Sequence, residues 1–203
     1  MAKKPKKLKK IPVSSIPKDL GVTRRSSMLQ GKKIALDIGG GIGATEAVKI
    51  AREIRRQGAV VKAFLSPQAL RFITPLSVEW ATLAKPVIEA GPQVEYLEEF
   101  DSVLVAPTTL HILSKSALGL TDTVVDLLIA NQLGSQRKVF MVPAMNIQLW
   151  DHPLRESYQK SLESWGVAFF PFKEEENRLK VPDARSLVEW MSRELSRDKQ
   201  KGI

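Results

Sequence analysis

From Gly31 onward, short apolar runs alternate with segments of helical periodicity, and this alternation limits the fold more than any other feature. Strands separated by helices long enough to cross over must run parallel, with helices covering both faces of the sheet. Strands are expected at residues 33–38, 59–65, 102–106, 139–142 and 167–170, with a short one at 94–96. The first helix is expected over 44–57, where Ala44, Ala47, Val48, Ala51 and Ile54 share a face and Gly58 marks the stop. Further helices are expected at 76–84, at 108–133 (one or two, broken near Gly119) and at 153–165, ended by Gly166. The last is expected at 184–196, with Asp183 as its N-cap. This predicts a single-domain α/β protein, three layers deep, on a mostly parallel sheet.

At 203 residues the chain is long enough to bury a substantial core. Its net charge of +9 is concentrated at one end: residues 1–30 hold nine Lys/Arg against the single acid Asp19. That Lys/Pro-rich stretch reads as a disordered arm, solubilising or in weak contact with nucleic acid or an anionic surface. The domain proper is expected at 31–197 and a frayed end at 198–203. The chain has no cysteine, which excludes disulfides and thiolate metal sites and suits a cytoplasmic protein. Its two histidines, His111 and His152, are too few for a multi-histidine metal centre, so no metal is expected. No apolar run is long enough to span a bilayer, and no secretory pattern is present.

Two loops follow expected strands in a way that suggests chemistry. Gly39-Gly40-Gly41-Ile42-Gly43 lies between the first strand and the first helix, where glycines let backbone approach a phosphate favoured by the helix N-terminus. A glycine turn serving only close packing is the competing reading. A dinucleotide enzyme would need an acid near the end of the second strand for the ribose, and Phe64-Leu65-Ser66-Pro67 has none. The second loop is Pro143-Ala144-Met145-Asn146, after the apolar run 138–142 and before Trp150-Asp151-His152-Pro153. Proline ends strand pairing, methionine offers a soft apolar surface, and the asparagine amide both donates and accepts.

This second loop resembles the signature of the homo-oligomeric, flavin-containing cysteine decarboxylases, the phosphopantothenoylcysteine decarboxylase-like flavoproteins. Other segments resemble the same family in the same order. These are the glycine loop, Ser66, the run Ala69-Leu70-Arg71-Phe72-Ile73-Thr74-Pro75-Leu76, the run from Asp101 to His111, and Lys115 to Asp122. The resemblance covers about residues 32–183 and implies a Rossmann-like, flavodoxin-like sandwich that binds FMN. It implies cofactor contacts from Gly40, Gly41, Ser66, Phe72, Pro107, Thr108, Thr109 and Met145, with Asn146 orienting a small-molecule ligand. It also implies a homotrimer, or a multiple of trimers.

The chain departs from the family pattern where the reaction is carried out. The family's catalytic histidine falls on Gln93, which cannot exchange a proton near neutral pH. The family's flap cysteine has no counterpart in the acidic stretch 173–183, which keeps only Arg178 and Pro182 of the flap pattern. The loop serine falls on Gly41 and the loop lysine on Glu46. His111, beside Pro107-Thr108-Thr109, is the candidate substitute acid–base group; His152 reads as a helix-start residue and Trp150 as a core or subunit anchor. The expectation is a flavoprotein with altered redox or transferase activity and no standard cysteine decarboxylation. The alternative is a catalytically degenerate regulatory or scaffolding subunit.

Overall fold

A computed structural model describes residues 20–171 and 174–200, the last three of these in backbone only. Five strands form one parallel sheet: β1 (Lys33–Ile38), β2 (Val60–Leu65), β3 (Ser102–Thr108), β4 (Lys138–Pro143) and β5 (Ala168–Phe169), in the order β2-β1-β3-β4-β5. A separate antiparallel hairpin pairs β6 (Glu174–Glu175) with β7 (Arg178–Leu179). The helices are α1 (Ala47–Arg56), α2 (Pro75–Thr82), α3 (Leu110–Leu118), α4 (Val124–Gly134), α5 (Ile147–Trp150), α6 (Arg155–Ser164) and α7 (Ala184–Gln200).

The parity of the strand residues divides the core into two layers, because successive side chains on a strand point to opposite faces. Ile34, Leu36 and Ile38 of β1 face α1, α2 and α7, where Ile50, Val78 and Val188 are buried. Ala35 of β1, with Val103 and Val105 of β3, faces α3, α4 and α6. Near-continuous apolar strands are what a sheet covered on both sides requires. The result is the expected three-layer, flavodoxin-like sandwich. Its strand order reverses between β1 and β3, and crevices for ligands open at such switch points, beyond the strands' carboxyl ends.

Most of the expected elements are present, and the differences have local causes. The first helix does not begin at residue 44: a 3₁₀ turn, Ile42–Glu46, precedes α1. The region near Gly119 separates two helices, with Gly119 in the left-handed conformation at the end of α3. Asp183 caps α7, accepting from the amides of Arg185 at 3.0 Å and Ser186 at 3.1 Å. The strand expected at 94–96 is instead a 3₁₀ turn, Glu95–Leu97. Val94 has φ 45°, a left-handed conformation that breaks an extended run.

Of the basic arm expected at residues 1–30, residues 1–19 lie outside the described residues. The stretch just before Gly31 packs on the domain: the Arg25 amide donates to the Arg56 carbonyl at 2.8 Å and the Leu29 amide to that of Gln57 at 3.0 Å, and Leu29 is buried. At the other end α7 runs through Gln200.

Candidate functional site

A cleft of about 880 Å³ opens where the strand order reverses, a size typical of small-molecule sites. The glycine loop after β1 forms one side, with Ser66 and Gln68 after β2. Thr109 and His111 at the start of α3, and Asp126 in the first turn of α4, form the back. Residues 144–146 after β4 and the strand β7 close the other side.

The glycine side is rigid for steric reasons. A Cβ on Gly39 would lie 2.3 Å from the Pro107 carbonyl oxygen, and one on Gly40 2.2 Å from Cβ of Gln68. Real side chains do not approach so closely, so only glycine lets the turn sit against β3 and the segment after β2. Gly41 differs: its nearest neighbour would be Thr109 Cγ2, at 4.0 Å. The amides that open the 3₁₀ turn at Ile42 have no carbonyl within the turn to bond, which makes them donors for a ligand anion. Ser66 adds a buried hydroxyl that accepts from the Ala69 amide at 3.2 Å, a bond that leaves the hydroxyl proton unused. Glu46 does not oppose an anion unaided. Lys49 Nζ lies 2.9 and 3.1 Å from its two carboxylate oxygens.

The opposite side is held by backbone pairing. Met145 and Leu179 exchange hydrogen bonds of 3.1 and 2.8 Å, and the Ile147 amide donates to the Asn177 carbonyl at 3.0 Å. Met145, Trp150 and Leu179 form a small buried cluster beneath this pairing, and the Arg155 guanidinium sits 4.5 Å from the centre of the Trp150 ring. Trp150 is therefore an internal anchor. His152 works at a helix start, its Nδ1 accepting from the Leu154 amide at 3.2 Å. Asn146 and Arg178 pair across the same junction. Both line the cleft, and neither side chain makes a hydrogen bond or ion pair among the described residues.

The back wall carries charge. Lys115 on α3 lies 2.6 Å from Asp122 and 3.2 Å from Asp126. Asp126 also accepts from the Thr123 hydroxyl at 2.6 Å, in a capping box that starts α4. Burial alone would lower the pKa of Lys115, but the bonds and charges of the two aspartates outweigh it and raise it above the usual lysine value. Asp37, on the α3/α4 side of β1, is fully buried, and neither of its oxygens has a hydrogen-bond partner among the described residues. Burial, and then the negative charge of Asp126, drive its pKa well above the usual aspartate value.

Of the residues singled out from sequence, Gly40, Gly41, Ser66, Thr109, His111, Met145 and Asn146 come together in the cleft. Three do not line it. Phe72 borders a separate surface depression with Thr45 and Thr74. Thr108 is fully buried, donating to the Val105 carbonyl at 2.9 Å and accepting from the Val142 amide at 3.1 Å, so its hydroxyl joins β3 to β4. Pro107 lies behind the glycine turn, its ring 3.3 Å from where a Cβ on Gly43 would sit. Gln93 is exposed and also outside the cleft. Sequence reasoning left out Lys115, Asp126 and Asp37 as site residues. The signals were there: an acid inside the apolar run 33–38, and a Thr-x-x-Asp cap opening α4. No group of three or more metal-ligating side chains occurs among the described residues.

The model of the family described as Flavoprotein matches residues 22–196. The chain belongs to this family. Among curated relatives, the coenzyme A biosynthesis bifunctional protein CoaBC of Thermococcus kodakarensis is 35% identical over 178 residues, covering 84% of this chain and 44% of that protein. The flavoprotein chain thus spans less than half the length of the curated relatives it matches. Among solved structures, the FMN-dependent cysteine decarboxylase SpaF superposes with a TM-score of 0.72 at 18% identity, over 83% of this chain and all but 1% of its own. A mutant PPC decarboxylase complexed with pantothenoylaminoethenethiol gives 0.66 at 20% identity, over 79% of this chain and 96% of its own. At these identities the structural likeness is one of fold.

Proposed function

We propose that this flavoprotein binds FMN in the cleft and acts on a small ligand held at the edge formed by Asn146 and Arg178. The observation that carries the reading is a single cleft joining an anion-receiving glycine turn to an apolar floor with an unused amide and guanidinium beside it. The residues suit the group. Gly41 leaves open space where a phosphate can approach, the turn amides and Ser66 supply donors, and Met145, Leu110 and Leu179 offer apolar surface to a flat ring. A bound flavin supplies redox chemistry that no side chain of this cysteine-free chain can. Asn146 orients the ligand by donating and accepting, and Arg178 attracts a carboxylate or phosphate on it.

The reaction in this reading is flavin-dependent but altered from cysteine decarboxylation, either redox or group transfer. Gln93 stands where an imidazole is expected, and the flap stretch has no thiol. His111, exposed on the cleft wall, is the acid–base candidate. The working form is a cytoplasmic homotrimer or a multiple of it, with the basic arm making at most weak contacts with anionic surfaces. Gln93, exposed and outside the cleft, favours a second reading: a catalytically degenerate regulatory or scaffolding subunit.

The deciding experiment is the visible absorption spectrum of the purified protein, with any cofactor released and identified by mass. Stoichiometric FMN, carried through purification or taken up on addition, is the expected result. A colourless protein that takes up no added FMN overturns the flavoprotein-enzyme reading in favour of the scaffolding one.

A further inference from the structure

Lys115, Arg178 and Lys180 all line the cleft, and the first two already have a place in it. Lys115 is locked between Asp122 at 2.6 Å and the buried Asp126 at 3.2 Å. Arg178 stands across from Asn146, in the bridge that forms the ligand edge. Lys180 serves neither purpose. On the glycine side the local charge has the wrong sign for an anion: Glu46 lines the cleft, and Lys49 does no more than neutralise it. The turn amides and the Ser66 hydroxyl can donate to a phosphate, but none of them carries a charge that balances it.

The chain from Arg178 to Val181 crosses from one side of the cleft to the other. At the ligand edge, Asn146 and Arg178 pair, and Leu179 exchanges backbone bonds with Met145. At the far end Val181 packs on the glycine turn, its Cγ2 2.7 Å from where a Cβ on Gly43 would sit. Lys180 therefore leaves the backbone one residue from the turn. Its Nζ lies 2.8 Å from the Glu176 carboxylate and 3.2 Å from that of Glu175. Those two side chains are 71% and 62% exposed, so water screens both pairs and makes them weak. The Glu176 bond, and then that of Glu175, raise the Lys180 pKa above the usual lysine value and keep it charged. Its four-carbon stem leaves the ammonium free to change partners.

We propose that Lys180 is the cation that balances a phosphate at the glycine turn, traded from Glu175 and Glu176 to that phosphate on binding. This deepens the flavin-binding reading above and rests on its placing of an anion at the turn. Two weak, exposed ion pairs are given up, and a charge-assisted bond on the cleft wall replaces them. The glutamates act as competitors for Lys180 and so set how tightly the turn holds its phosphate. A free phosphate and the phosphate of a flavin offer the same chemistry here. A flavin without its phosphate gains nothing from the trade.

The test uses the purified full chain with inorganic phosphate, FMN and riboflavin, which has the ring of FMN without its phosphate. Phosphate is followed by the amide resonances of residues 41–45, and the flavins by quenching of their fluorescence. Lys180→Gln is expected to weaken phosphate and FMN about fivefold or more. Riboflavin affinity is expected to stay unchanged. Glu175→Gln/Glu176→Gln is expected to tighten phosphate by about two- to fivefold, and to do little when Lys180→Gln is also present. Phosphate that leaves the turn amides unmoved, or that binds wild type and Lys180→Gln equally, overturns the assignment. So does a loss in Lys180→Gln that falls equally on riboflavin. Tightening by the glutamate changes that persists without Lys180 overturns the trade. Where riboflavin does not bind, phosphate decides alone. Lys180-dependent phosphate binding in a protein that takes up no FMN removes the flavin reading and leaves Lys180 in its role. FMN uptake indifferent to Lys180 does the reverse.

Discussion

The two sides of the cleft are built in opposite ways. The glycine side owes its shape to close packing: at Gly39 and Gly40 not even a methyl group fits. The side made by residues 144–150 and the hairpin owes its position to a few backbone bonds, and it leaves the Asn146 and Arg178 side chains without a hydrogen bond or ion pair among the described residues. A wall fixed by sterics suits a part of a ligand that never varies, such as a phosphate. A wall with free side chains on a thin support suits the part that distinguishes one ligand from another.

That contrast can be broken most directly at Gly39. Gly39→Ala drives a methyl group into the Pro107 carbonyl and should cost about 1–3 kcal/mol of stability, along with any FMN uptake, as read by urea unfolding and flavin titration. A neutral result would mean that the glycine wall is not sterically set. Asp37, buried within β1, should show itself in the pH dependence of stability. Its folded pKa lies above the unfolded one, so the unfolded chain loses that proton first and stability falls as pH rises. The decline should begin near the ordinary aspartate pKa of about 3.9 and continue up to the raised value. Below that range the group is neutral in both states and contributes nothing. Asp37→Asn should flatten this slope and make the protein more stable than wild type at neutral pH; unchanged slopes in urea melts across pH would contradict it.

On the other side, Asn146→Ala and Arg178→Ala should leave stability within about 0.5 kcal/mol. Each should weaken binding of a small carboxylate or phosphate ligand to the FMN-loaded protein by about tenfold or more, the loss of a charge-assisted or oriented hydrogen bond. Equal losses of stability and binding would make this edge structural. The smallest effect is expected from Gly41→Ser, where space is available: stability should again hold within about 0.5 kcal/mol, and FMN should bind several-fold tighter through one added hydroxyl bond worth about 1 kcal/mol. A destabilised serine variant would erase the difference between Gly41 and its neighbours.

The layered sheet was legible in the sequence because strand parity and helical periodicity are local patterns that tertiary packing here reinforces. The 94–96 segment misled because its short apolar character carries no sign of the left-handed Val94 that turns the chain. The glycine loop, Ser66, Met145 and Asn146 were readable as neighbours because each follows a strand of the same parallel sheet. Phe72 and Thr108 were not separable from true lining residues by sequence. Whether Phe72 faces the cleft or the outer depression depends on the turn after β2, and the Thr108 hydroxyl is used by a residue 34 positions away in sequence but adjacent in space, through the Val142 amide.

The pairing of Met145 with Leu179 also bears on motion. The hairpin of β6 and β7 meets the loop after β4 through that short ladder and one small apolar cluster, less than binds the central strands β1 and β3. Such a unit opens on its own, at a lower free energy than global unfolding. Its amides should therefore exchange with solvent long before those of β1 or β3, and ligand occupancy should slow that exchange at Leu179 and Met145 while leaving the sheet's rates untouched. The ligand-reading edge is, on this view, a folding unit of its own, able to open while β1 and β3 stay closed.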